Sequence, residues 1–299
     1  MKLGLNLSFA VKRWYEPEEL VPMISNDFKT KYIQFTWDIV NPWWPVLKRD
    51  KIAKKWSKMF KKENIILDGT FAGIAAYTYP QLLASTDDER KIAVDFFKRA
   101  IDMTSVMETD TIGTPLGGMT HKDAYDKNRR KEIYKIAIDH IRELAAYAKI
   151  KGLKKILIEP TPLFTEFPST PEESLQLMKD LDGTTDIPIR LLIDWGHALF
   201  EPLLKEKADM TLWINTCKKY IDGFHLQQTD GKLDRHWDFT QEGKLAPKLI
   251  KDLIERTNAE NVVQYVELIF PFEESDEIVY ENVKKTMEIL TNCLVKGVC

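Results

Sequence analysis

Short apolar runs rich in β-branched and aromatic residues recur along the chain, and between them apolar residues return every three or four positions. The runs fall at 2–9 (KLGLNLSF), 32–38 (YIQFTWD), 65–70 (IILDGT), 109–114 (TDTIGT), 155–161 (KILIEPT), 190–196 (RLLIDWG), 221–227 (IDGFHLQ) and 262–269 (VVQYVELI). Their length and composition predict strands. The longer spacing predicts amphipathic helices over 86–107, 122–152 and 276–295. Helix starts carry Asp, Ser or Thr with acids in the first turn, as in TPEESLQLM at 170–178. Eight strand–helix units without a Gly/Ser linker predict one α/β domain over residues 1–299, a (β/α)8 barrel of the TIM type. An open doubly wound sheet is the alternative, and neither GxGxxG nor GxxxxGK[ST] occurs to support it.

Composition narrows the function classes. The 299 residues are 44% hydrophobic and 30% charged, the balance of a soluble globular chain. A formal net charge of -3 argues against a general nucleic-acid binder, which needs a basic face. Cys217, Cys293 and Cys299 are too few and scattered for a disulfide framework or a Cys-based zinc site, and fit a reducing, cytoplasmic setting. The opening MKLGLNLSFAVKRW is too short and polar for a signal peptide. No run approaches the ~18 apolar residues of a membrane span.

In such a barrel the strand C-termini and the loops after them converge at one mouth, where active sites form. Four runs close on an ionisable group: KILIE on Glu159, RLLID on Asp194, DGFH on His225 and VVQYVE on Glu267. A buried unpaired carboxylate is costly, so such groups need a metal, a cation or dense hydrogen bonding. Three carboxylates and one imidazole on strands five to eight form an oxygen-rich set that suits Mn2+, Mg2+ or Co2+, with Zn2+ left open. A network of ion pairs at the mouth is the alternative. His197, in DWGH, and Glu166, in EPTPLFTE, reach the mouth from the following loops, as do Gln227, Asp230 and His236 from the seventh. Trp14, Trp37, Trp43, Trp44 and Trp195 fall at or just after strand ends, where aromatic faces shield a polyol.

The segments IEP (158–160), IDWGH (193–197), FHLQQTDG (224–231) and VEL (266–268) resemble the xylose-isomerase-like TIM-barrel superfamily, the sugar isomerases and epimerases related to ketose 3-epimerases. The resemblance implies one divalent metal held by Glu159, Asp194, His225 and Glu267, and the oxygen-rich set favours Mn2+ for it. It implies substrate contact by His197 and, with a one-residue offset, by Glu166. The arginine that ketose epimerases carry shortly after the strand-seven histidine has no clean equivalent here, Arg235 lying ten residues on. The loops LSFAVKRW, IQFTWDIVNPWW and HLQQTDGKLDRHWDFT are similar to a branch acting on short ketose phosphates, tetrulose phosphates in particular. Lys12 and Arg13 would there receive a phosphate as point charge and fork.

The activity implied is proton transfer at the carbon next to a ketose carbonyl, through an enediolate, with Glu159 and Glu267 on opposite faces as base and acid. Aldose–ketose isomerisation would use the same residues. Metal-dependent abasic-site endonucleases share the superfamily and match Asp194, His197, His225 and the Asp234-Arg235-His236 pattern. They need further histidines after strands two to four, where this chain has TWDIVNPW, GTFAG and GTPLGG. A non-catalytic sugar-binding barrel would have a broken ligand set, and all four positions are filled. The expected partner is a small sugar or sugar phosphate, with no nucleic acid or membrane, in a chain whose relatives often form homo-oligomers.

Overall fold

A computed structural model describes residues 1–79 and 81–299. Eight parallel strands pair in sequence order and close on themselves: β1 Lys2–Asn6, β2 Tyr32–Thr36, β3 Ile66–Phe71, β4 Thr111–Thr114, β5 Lys155–Ile158, β6 Ile189–Asp194, β7 Ile221–Leu226 and β8 Val263–Val266. Closure runs through β1 and β8, with Lys2 opposite Val263 and Leu5 opposite Val266. That pairing removes both sheet edges and excludes the open doubly wound sheet.

Each strand is followed by an outer helix: α1 Pro17–Pro22, α2 Val46–Lys62, α3 Asp87–Val106, α4 Lys127–Ile150, α5 Pro171–Leu181, α6 Met210–Cys217, α7 Pro247–Arg256 and α8 Asp276–Leu290. α3 shows why such a segment is helical and which face it buries. Thr86 caps the Glu89 backbone N–H while the Glu89 side chain returns to Thr86, a reciprocal box that satisfies two orphan donors. Ala93, Phe97, Ala100, Ile101 and Thr104 then fall on one buried stripe. The stretch expected as one helix over 122–152 is broken at Asp126. Its carboxylate accepts from the backbone of Asn128 and Arg129, ending His121–Tyr125 and starting α4.

Every strand but β3 is shorter than the apolar run that predicted it. β5 ends at Ile158 and β8 at Val266, so Glu159 and Glu267 stand one residue beyond, while Asp194 closes β6 and His225 is next to last in β7. A disulfide joins Cys293 to Cys299, which corrects the reading of these two as unpaired cysteines. Gly297, at φ 78°, lets the tail turn back onto Cys293. Cys217 is free and buried. Among the described residues no helix is long and apolar enough to cross a membrane.

Candidate metal centre and active site

Glu159, Asp194, His225 and Glu267 are all buried, and one ligand atom from each lies within 4.8 Å of the others. His225 Nδ1 sits between two carboxylates, 2.7 Å from Glu159 Oε1 and 2.9 Å from Glu267 Oε2. On its far side Nε2 lies 2.6 Å from Gln34 Oε1. Asp194 is wholly inaccessible; its Oδ1 accepts from the His197 backbone at 2.8 Å and from Gln227 Nε2 at 3.0 Å. Its Oδ2 is buried with no partner among the described residues. An orphaned carboxylate oxygen beside two further carboxylates and an imidazole is a cation's donor set, and the residues fit a divalent metal.

Charge in this cluster is set by burial against proximity. Burial raises the Glu159 pKa above its ordinary 4.5, against the pull of His225. Burial also opposes ionisation of Glu267, but His225, then His236 and His197, hold it below 4.5. For His225, burial disfavours the charged ring, yet Glu267 and Glu159 outweigh it and push the pKa up to about 10.

A second constellation adjoins the first. Asp234 receives His197 Nε2 at 3.2 Å, His236 Nε2 at 3.2 Å and Gln227 Nε2 at 3.0 Å. His197 Nδ1 donates to the Pro160 carbonyl at 3.0 Å, so the ring is clamped at both nitrogens. Gln227 therefore ties the two groups together through Asp194 and Asp234. Gly196 makes this possible, since a Cβ there would stand 2.5 Å from the Gln227 carboxamide.

Both groups open on a cavity of about 290 Å³, lined by Ser8, Phe71, Tyr77, Glu159, His197, Arg235 and Glu267 among others. That is the small end of ligand cavities. A larger groove of about 950 Å³ runs outside the barrel between α4 and α5. Two ion pairs lie along it, Arg130 with Glu173 and Arg142 with Asp139, and none of the four candidate ligands reaches it.

The remaining expected residues divide. Gln227, His197 and His236 reach the centre. Glu166 is buried at the rim and accepts from the Tyr77 hydroxyl at 2.9 Å. Asp230 binds Arg235 at 2.7 Å and caps its own loop, so it positions rather than lines the site. Arg13 does not enter the mouth: it donates to the carbonyls of Glu274 and Pro271 and to Asp276. Lys12 lies with Nζ 4.4 Å over the Phe272 ring. None of the five tryptophans lines the cavity. Trp14, Trp37 and Trp195 are buried packing and Trp43 and Trp44 are exposed, while Phe71 and Tyr77 supply the aromatic wall.

Sequence reasoning passed over Asn6, Ser8, Gln34 and Tyr77, and Arg235 as a lining group. A polar residue inside the run YIQFT was the available signal for Gln34. Arg235 does line the mouth, held by Asp230 and stacked 4.8 Å over the Trp237 ring.

The chain is 45% identical to a solved protein of Rhodospirillum rubrum provisionally designated a xylose isomerase, with TM-score 0.97 and coverage of 100% of this chain and 99% of that one. A D-erythrulose 1-phosphate 3-epimerase of Brucella abortus is 25% identical over 273 residues, 88% of this chain and 86% of the relative. D-psicose 3-epimerase of Clostridium cellulolyticum shares the fold at TM-score 0.72 and 14% identity, each chain covered in full. These relatives are named as epimerases and isomerases of sugars. Residues 28–285 match the family described as xylose isomerase-like TIM barrel, and the chain belongs to that family.

Proposed function

We propose that the chain is a metal-dependent epimerase that inverts the carbon next to the carbonyl of a short ketose phosphate, a tetrulose phosphate by preference. The observation that carries this reading is the convergence of Glu159, Asp194, His225 and Glu267 within 4.8 Å, with Glu159 and Glu267 lining a small cavity. The name of the Brucella relative supports the substrate and the position of the inverted carbon.

Glu159, Asp194, His225 and Glu267 would hold one divalent cation, with Mn2+ favoured by the oxygen-rich set. When bound, the cation supplies Lewis-acid stabilisation of negative charge developing on the carbonyl oxygen. Inversion needs a base on one face of the carbon and an acid on the other. Glu159 and Glu267 arrive from β5 and β8 on either side of His225 and both line the cavity, which suits them to take and return the proton. His197 and His236, anchored by Asp234, face the same space and would orient substrate hydroxyls. Arg235 presents the guanidinium that would take the phosphate in place of Arg13. Phe71, Ile74 and Tyr77 wall the cavity and exclude water during the transfer.

Aldose–ketose isomerisation is the second reading, favoured by the designation of the Rhodospirillum relative. The nuclease reading has no support at the ends of β2 to β4, which bring no histidine to the mouth. One experiment separates the rest. Purified protein with Mn2+ is offered ketoses and aldoses of four to six carbons in D2O, with and without phosphate. Deuterium at C3 of a ketose with both epimers present supports the proposal. Aldose formation supports isomerisation, and absence of exchange with every sugar overturns both.

A further inference from the structure

We propose that Gln34, oriented by Asn6, fixes the tautomer of His225 so that Nδ1 turns its lone pair toward the cation; this rests on the metal reading of the site. The chain of bonds begins at a group with only one role. The backbone N–H of Ser8 can only donate, and it meets the Asn6 side chain at 2.9 Å, so the atom there is the carbonyl Oδ1. The other end of that carboxamide is then the NH2, 2.7 Å from Gln34. An NH2 only donates, so the Gln34 atom facing it is Oε1. The same Oε1 lies 2.6 Å from His225 Nε2. Two acceptors cannot share a bond, so Nε2 carries the hydrogen.

In the neutral ring this leaves the lone pair on Nδ1, the nitrogen set between Glu159 and Glu267. One backbone N–H therefore propagates its polarity through two carboxamides to the metal ligand. The path crosses three strands, and its step from β1 to β2 follows from the register that places Asn6 opposite Gln34. Burial keeps it intact: Asn6 and His225 are 0% exposed and Gln34 2%, so water does not compete for these bonds. Ser8 adds a hydroxyl bond to the same Asn6 oxygen at 2.7 Å, which locks the amide further. Gln34 does not line the cavity, so it is a positioning residue acting through His225. A ligating histidine gives its other N–H to an acceptor of this kind, and loss of that acceptor costs about 10–100-fold in metal affinity.

The test compares the parent, Gln34→Leu and Gln34→Glu by Mn2+ titration calorimetry and by 15N spectra of the histidine rings in the Mg2+-loaded proteins. The expected parent binds one Mn2+ and shows His225 protonated at Nε2. Gln34→Leu is expected to bind Mn2+ about 10–100-fold more weakly. Gln34→Glu, whose carboxylate still accepts from Nε2, is expected to return to within a few-fold of the parent. Parental affinity in Gln34→Leu, or weakening in Gln34→Glu equal to that in Gln34→Leu, overturns the proposal. Should Gln34→Leu fail to fold, the parent spectrum decides: a ring protonated at Nδ1 with the metal bound overturns it. A parent that binds no Mn2+ overturns the metal reading itself, and the tautomer role falls with it.

Discussion

Gln227 donates its carboxamide to Asp194 at 3.0 Å, and the opposite oxygen of Asp194 is left buried without a partner among the described residues. One oxygen is thus held in place and the other is kept for a ligand. Removing the held bond should disturb the free oxygen. Gly196→Ala, whose new methyl would meet the Gln227 carboxamide at 2.5 Å, is expected to fold with that side chain displaced. Mn2+ affinity should fall about 10–100-fold, the cost of losing an orienting hydrogen bond. Asp194→Asn should cost more, because a charged donor is lost. Calorimetric titration of both variants checks the order.

Glu159 and Glu267 share His225 but are assigned separate protons, so each should be indispensable. Glu159→Gln and Glu267→Gln are each expected to lower turnover by at least about 100–10,000-fold. Melting temperatures should stay near the parent. Near-native turnover in either variant rules out the two-carboxylate scheme.

The proton on His225 sets a pH dependence. An ordinary histidine releases it near 6.5, whereas Glu267 and Glu159 hold this one up to about 10 against the effect of burial. A cation must displace it, so Mn2+ affinity should rise by about tenfold per pH unit through this proton and flatten only near pH 10. The metal-free fold runs the other way. Stability from the charged ring is complete below about 6.5 and is lost as pH climbs toward about 10. Titrations and melts between pH 6 and 9 read both slopes, and a flat affinity above pH 7 contradicts the assignment.

In the proposed reading Arg235 takes the phosphate that sequence position suggested for Arg13, whose guanidinium is bound to Pro271, Glu274 and Asp276. Arg13→Ala is expected to lower stability by about 1–3 kcal/mol through the lost bonds to Pro271 and Glu274, with KM for a phosphorylated ketose unchanged. The Asp276 partner is half exposed and adds little. Arg235→Ala should raise that KM by more than about tenfold, with a smaller effect on the unphosphorylated sugar. Steady-state kinetics on the two substrates, with a thermal melt, separate them.

The barrel and its four candidate ligands were legible because both signals are local. An apolar run interrupted by an acid or histidine at its end marks a strand opening on a polar centre, and Glu159, Asp194, His225 and Glu267 each carry that mark within their own segment. What the tertiary structure alone decided is who partners whom. Arg13 is spent on carbonyls of the loop after β8, and Tyr77 reaches Glu166 across 89 positions. Gln34 meets His225 across 191. A side chain's residue type states which bonds it can make, but its role depends on which acceptor or donor the closed barrel brings within about 3 Å, and that distance is a property of the whole fold.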